Sequence, residues 1–466
     1  MNSVQNCLSF DSAGSMENSV TKDQSKLRES WQKFSELHVV GKHSIFWRVD
    51  VLNDGLGDLF SCLNAVHLVK QKYPEWAMKI FVLSHHKENP LIPYKEYGID
   101  NEDLLIIRTM EDGERILLKG KTGGKTGFSD FAWKKEKCEY EQFVKNMPEF
   151  AARIDKFINF QKTADLHIDV SFLEYDYFFK GKKNSSKFMC FPEYGADKSE
   201  YLSEYSCANI FCMGLNPTSS GIFNLNPKMP ESFCNSNLNQ YFNQKVKVYF
   251  NYGLNLLGYT SLICRLNPEA KELNIITNFA INKLKMEDFE YIAKVPMIDK
   301  DGHQMIQTYS VSWIDRDGNE ESRSQSSSGK MLRLINPFPL EHNDVLRSIA
   351  LSEEPVGVTG NITFSESLDR LPFYNNRAPL QSFWNQLIQL TKSATPQNTK
   401  LLAYLEKMAS APKKNTDIHL APWDLPILKK QWEELVNILR LDWDVKNAIL
   451  GEINRRILEK KTSDDT

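Results

Sequence analysis

Two short constellations hold residue types that could do chemistry together. The first is Asp54-Gly55-Leu56-Gly57-Asp58. Its two glycines, Gly55 and Gly57, let the backbone come close to a bound molecule. An aspartate there can hold an acceptor or take its proton as a general base, which makes Asp58 and then Asp54 the candidate catalytic carboxylates. The second runs Thr359-Gly360-Asn361-Ile362-Thr363-Phe364-Ser365-Glu366. Gly360 permits close approach, and the free N–H groups of a helix start suit a diphosphate. Asn361, Thr363 and Ser365 add side-chain donors, and Glu366 could take a ribose or sugar hydroxyl. His85, on the loop after a strand, is a candidate acceptor-side residue. Plainer readings stand beside these. Asp58 could be only an N-cap and Asp54 only a turn residue. Thr363 could cap its helix, with Glu366 completing a capping box. His85 and His86 could be polar surface.

These residues need a scaffold, and hydrophobic periodicity supplies one. A charged helix is expected over Lys26–Val40 and a strand over Ser44–Leu52. A helix opens at Asp58, with Leu59, Leu63, Val66 and Val69 at helical spacing. Lys79–Leu83 is the next strand, so the chain begins with a βαβ unit. Leu104–Arg108, Asp165–Val170 and Asn209–Met213 are further strands. After a stretch rich in Asn, Ser and Pro, alternation resumes. Strands are expected at Lys245–Phe250, Leu273–Thr277, Ile306–Ile314, Met331–Ile335, Val356–Thr359 and Pro372–Tyr374. Helices are expected over Asn255–Leu266, Met286–Ala293, Asn343–Ala350 and Ile362–Leu368. Asp315–Lys330 reads as a polar loop that starts with a hairpin turn. From Leu380 the pattern is helical, with breaks near Pro396, Pro412 and Pro422. Phe383, Trp384, Trp423, Trp432 and Trp443 fall at helical spacing and read as core.

The fold class that follows is α/β: two Rossmann-like domains facing a cleft, plus a C-terminal helical extension. In this division residues 1–30 are a loose N-terminus and 31–218 the first, acceptor-binding domain. Residues 219–244 are a linker, 245–379 the second, donor-binding domain, and 380–460 a helical tail.

Composition narrows the class further. Of 466 residues, 41% are hydrophobic and 25% charged, the mix of a folded globular chain. Lys and Arg number 57 against 60 Asp and Glu, so no overall charge points to nucleic acid. No apolar run suits a transmembrane segment. The N-terminus lacks the pattern of a Sec signal. Both facts fit a cytoplasmic protein, and equally a bacterial effector delivered into a host cell without a Sec signal. The eight cysteines form no paired motif, so neither zinc nor a disulfide framework is expected. Gly120–Thr126 (GKTGGKT) ends like a phosphate-binding P-loop but has three residues, not four, between Gly120 and Gly124. It reads as a basic surface loop that could cover a phosphate-bearing substrate. Asp315-Arg316-Asp317-Gly318 lacks the later Glu of a calcium loop.

The second half resembles the donor domain of GT-B glycosyltransferases. Several patches are also similar to the bacterial protein-arginine rhamnosyltransferases that modify elongation factor P. The turn Asp54-x-x-Gly57-Asp58 resembles that family's Asp-x-x-Gly-Asp, whose second Asp is taken as the catalytic base, which implies that role for Asp58. Tyr249-Phe250-Asn251-Tyr252 resembles a strand ending in a tyrosine near the nucleotide, which implies Tyr252 at the base or ribose. Pro337-Phe338-Pro339, Asp344-x-Leu346, Ala350, Val358-Thr359-Gly360, Thr363-Phe364 and Pro372-Phe373 follow its donor segment in order. The chain departs where that family has an acidic pair, here Asn361-Ile362, and an Arg, here Thr359. The resemblance implies a glycosyltransferase moving a sugar from a nucleotide-diphosphate donor to an acceptor, with a protein acceptor expected, by a metal-independent inverting route. No cofactor is expected beyond that donor substrate, and no metal. Two other readings remain open: a GT-B-like binding scaffold without catalysis, and a P-loop nucleotide enzyme through Gly120–Thr126.

Overall fold

A computed structural model describes residues 28–51, 57–84, 94–108, 148–170, 187–190, 213–215, 219–225, 227, 229–242, 246–253, 255–298, 301, 303–374, 380–410 and 420–464. Asp54, Gly55, His85, Gly120–Thr126 and most of Asn209–Met213 lie outside these residues.

The first sheet is wholly parallel. Its strands are β1 (Ser44–Val51), β2 (Ala77–Ser84), β3 (Leu104–Arg108), β4 (Leu166–Asp169) and β5 (Phe188–Cys190). They lie in the order β3-β2-β1-β4-β5. Parallel neighbours need long crossovers. Helix α1 (Gly57–Lys72) joins β1 to β2, and α2 (Pro148–Thr163) lies between β3 and β4. Strand β1 buries residues on both faces, Trp47 and Val49 on one side and Phe46 on the other, as expected when helices cover a parallel sheet. The helical face read from Leu59, Leu63, Val66 and Val69 is fully buried. Sequence periodicity missed β5 and α2. Three residues are too few to show a period, and α2 is weakly apolar overall.

The second sheet has seven strands, in the order β11-β10-β12-β7-β6-β13-β14. They are β6 (Lys247–Asn251), β7 (Glu272–Thr277), β10 (Ser310–Ile314), β11 (Glu320–Ser324), β12 (Met331–Ile335), β13 (Val356–Val358) and β14 (Pro372–Tyr374). All pair in parallel except β10 with β11. The helices are α3 (Leu256–Leu266), α4 (Met286–Ala293), α5 (His342–Leu351) and α6 (Asn361–Glu366). Asn255 caps α3, its side chain accepting the Gly258 N–H at 3.0 Å.

Two strand expectations need correction. Ile306–Ile314 is not one strand. It breaks at Tyr309, whose N–H donates to Ala293 and whose ring is buried. The part before the break, β9 (Gln304–Thr308), forms a separate antiparallel ribbon with β8 (Lys294–Ile298). The alternation of residue types runs through the break, so periodicity alone joined two strands of different sheets. Within Asp315–Lys330 the hairpin turn is present, with the Asp315 carboxylate accepting the N–H groups of Asp317 and Asn319 at 2.9 Å each. The polar residues after it pair as β11, an edge strand whose charges discourage further pairing.

Four helices complete the fold: α7 (Leu380–Ala394), α8 (Thr399–Ser410), α9 (Leu425–Asp442) and α10 (Val445–Asp464). The first three pack on the second sheet. Tyr404 donates to the Pro372 carbonyl at 2.9 Å, and the Trp432 indole donates to Leu368 at 2.8 Å. The chain then turns at Trp443, pairs with Ile222 and returns to the first half. There Asn454 of α10 accepts from the Tyr73 hydroxyl at 3.0 Å and donates to Phe34 at 2.9 Å. Arg456, paired with Glu452, also donates to the Phe188 carbonyl of β5. Phe383, Trp384 and Trp432 are core residues as expected. Trp423 is exposed, and Trp443 lies under the Arg28 guanidinium at 3.7 Å.

Candidate functional site

Each sheet changes direction once. In the first, the chain runs outward from β1 through β2 and β3, then starts again on the other side with β4 and β5. In the second it runs from β6 to β7, passes over one place to β10 and its edge partner β11, comes back to fill the gap as β12, then resumes beyond β6 with β13 and β14. Open α/β sheets bind ligands at such switch points, beyond the carboxyl ends of the strands. Asp58 follows β1 at the first switch point. Tyr252 follows β6 and Gly360 follows β13 at the second. The two strongest motifs of the sequence therefore mark the two switch points.

At the first, β1 and β4 are held together by a buried ion pair. Arg48 and Asp169 are register partners, and their charged groups approach to 3.3 Å. Cys62, one turn after Asp58 on α1, senses this region. Burial pushes its thiol well up, and the carboxylates of Asp169 and Asp58 add to the effect. Asp58 is half-buried in the first turn of α1. Gly57 opens the same helix.

At the second, the Tyr252 N–H donates to the Gly357 carbonyl at 2.8 Å, which locks the end of β6 against β13. Gly357 must be glycine, because a Cβ there would strike the Asn251 side chain. Gly360 has φ 87° and open space beyond its Cα, so a side chain is opposed by the backbone and not by crowding. Gly360 is the N-cap of α6. The capping-box reading therefore fails. Thr363 lies inside the helix, and Glu366 is its last residue. Helix α6 is also shorter than the expected Ile362–Leu368, so its dipole is small. Thr359 and Thr363 are half-buried, while Ser365 is fully buried and turned away from solvent.

The central group is Glu366. Its carboxylate is almost completely buried and meets His342 Nε2 at 2.9 Å. The Tyr252 hydroxyl is raised by burial first and by the Glu366 carboxylate second. The Tyr97 hydroxyl is pushed up by burial, then by Glu366 and Glu96. Tyr97 belongs to the first half, in the single helical turn Tyr94–Tyr97. Tyr252 also lies 5.7 Å from the Phe338 ring, centroid to centroid.

The two switch points meet. The His342 ring stacks on Phe60, two residues after Asp58, with centroids 4.3 Å apart. Asn343 donates to Glu96 at 3.3 Å. Sequence reasoning found Asp58 and Glu366 but missed His342, Phe60 and Tyr97. No local pattern links residues so far apart in the chain.

One member of the resembling stretch is structural. The buried Asp344 carboxylate accepts the N–H groups of Cys234 at 2.6 Å and Asn235 at 2.9 Å. Asp344→Ala should destabilise the protein by about 1–3 kcal/mol, since two part-buried N–H groups lose their charged acceptor. Urea unfolding measures it; a loss under about 0.5 kcal/mol would mean that water replaces the carboxylate.

Among the described residues, no group of three or more His, Cys, Asp or Glu could hold a metal ion. Among them, too, no helix is long and apolar enough to cross a membrane. Among the described cysteines, Cys62, Cys190, Cys234 and Cys264 are not in disulfides, and all but Cys234 are buried.

No protein-family model and no curated protein matches the chain. Among solved structures, the chain is similar to the N-terminal domain of trehalose-6-phosphate phosphatase from Candida albicans, with 10% identity and a TM-score of 0.33 over 91% of this chain and 96% of that one. It is also similar to a UDP-glucosyltransferase from Polygonum tinctorium in complex with 3,4-dichloroaniline, with 8% identity and a TM-score of 0.33 over 90% of this chain and 99% of that one. At these scores neither likeness bears on function.

Proposed function

We propose that the protein is a GT-B-type glycosyltransferase that moves a sugar from a nucleotide-diphosphate donor to an acceptor, with a protein acceptor favoured. The observation that carries this reading is the meeting of two switch points, one bearing Asp58 and the other Tyr252, Gly360 and Glu366. Each alone is a common ligand crevice of an open α/β sheet. Together they can hold donor and acceptor against one another, which is the main demand of group transfer.

In this reading the donor lies over the second sheet. Gly360 and the N–H groups that follow it take the diphosphate, with Asn361 and Thr363 as side-chain donors. Tyr252 packs on the base or ribose, and Glu366 takes a hydroxyl. The acceptor approaches from the first sheet, where Asp58 removes its proton. Attack opposite the departing diphosphate inverts the sugar carbon. The bond from that carbon to the diphosphate breaks as the bond to the acceptor forms. Backbone N–H groups stabilise the charge on the leaving group. No metal or cofactor is assigned a role.

A thermal-shift screen with UDP, GDP, dTDP, CDP, ADP and ATP, with and without Mg²⁺, tests this reading. A ligand at 100 times its Kd should stabilise the fold by about 2.7 kcal/mol through mass action. A selective shift with one diphosphate supports the donor site and names its class. A shift with ATP alone favours the P-loop reading through Gly120–Thr126. No shift with any nucleotide leaves the scaffold without catalysis.

A further inference from the structure

We infer that His342 is a positioning residue that ties the Glu366 carboxylate of the second half to the Phe60 ring of the first, so that nucleotide affinity depends on how the halves are set. This rests on the reading above, in which Glu366 takes a donor hydroxyl.

The imidazole has two engagements, one on each half. Its Nε2 meets Glu366 at 2.9 Å, and its face lies on Phe60 at 4.3 Å with the planes 23° apart. The His342 and Glu366 side chains are 12% and 4% exposed, so water competes weakly for either. A carboxylate buried to that degree is costly unless paired, and His342 is the partner that the second half provides. The ring can keep Nε2 on Glu366 and its face on Phe60 only within a narrow range of orientations. Moving Phe60 therefore turns or frees the imidazole, and Glu366 responds. Asn343 to Glu96 is a parallel tie between the same two segments. Tyr97, also from the first half, stands close enough for Glu366 to raise its hydroxyl. The carboxylate assigned to the donor is thus held partly by residues of the acceptor side. Phe60 itself lies on α1 and is assigned no part in donor contact.

The experiment measures the affinity of the nucleoside diphosphate that most stabilises the wild type, by calorimetry. The variants are Phe60→Leu, Phe60→Trp, His342→Gln and the double variant Phe60→Leu/His342→Gln. Phe60→Leu keeps an apolar side chain but removes the stacking face. It should weaken binding about fivefold or more, the lower range of coupling between linked sites. Phe60→Trp keeps a face and should bind like the wild type. In the His342→Gln background, Phe60→Leu should have no further effect, because the link is already cut. Equal losses from Phe60→Leu in both backgrounds would overturn the inference, as would wild-type affinity in Phe60→Leu. If Phe60→Leu does not fold, His342→Gln decides. Wild-type affinity in that variant overturns the proposal, and a loss with an unchanged melting temperature supports it. A wild type that binds no diphosphate fails the underlying reading instead, before any variant is made.

Discussion

Replacing Asp58 with Asn should leave nucleotide binding intact and slow sugar transfer by about 10²–10⁴-fold, the usual contribution of a general base. The amide is nearly the same size and can still serve the first turn of α1, so the fold should hold. What it loses is the capacity to accept a proton. A purely structural carboxylate inside the first turn of α1, which starts at Gly57, would give a different result, since the amide of Asn can still accept a hydrogen bond there. Asp58→Asn would then leave turnover unchanged, and Asp58→Ala would lower only the melting temperature. The two measurements, turnover and nucleotide affinity, separate the roles. Full activity in Asp58→Asn would remove this carboxylate from the mechanism and direct attention to Asp54.

Arg48→Met should destabilise the protein by about 3–5 kcal/mol, because it removes the buried positive charge that the Asp169 carboxylate meets across the two strands. Both side chains are about 95% buried, 4% and 5% exposed, so solvent cannot take over. The pair bridges β1 and β4 where the first sheet reverses its winding. Arg48→Met/Asp169→Leu should recover part of that loss, since apolar residues of similar volume often replace a buried ion pair at little cost. Urea midpoints of the single and double variants measure both effects. A double variant that is less stable than Arg48→Met would mean that the pair is needed to align the two strands, and that its worth is not only mutual neutralisation.

Much of this architecture was legible from residue order. The strands Leu104–Arg108, Met331–Ile335 and Pro372–Tyr374 and the helix Met286–Ala293 match to the residue. Short apolar runs bounded by polar or turn residues marked the strands, and a helical period marked the helix. The Asp58 and Gly360 segments stood out because glycine and carboxylate cluster where a strand gives way to a helix. The failures have physical causes as well. Tyr309 breaks a strand through a tertiary hydrogen bond to Ala293, which no local period can reveal. Thr363 and Glu366 have capping-box spacing, but Gly360 begins the helix at a φ that other residues avoid. His342 gave no signal at all. Its importance lies in Glu366 and Phe60, which reach it only once the two sheets have met.

Helix α10 has a consequence for the order of events during synthesis. Tyr73 and Asn454, which meet in the finished protein, are 381 positions apart. The first half leaves the ribosome early, with Leu59, Leu63 and Val66 of α1 ready to pack. The helix that completes that layer emerges only after the second half and its α7–α9 cover have been made. At roughly 5–20 residues per second, α1 waits about 20–80 s for α10, which packs against the residue that follows it. During that time its apolar face is open to chaperones or to a second nascent chain, and a stop codon near Trp443 would leave it open permanently.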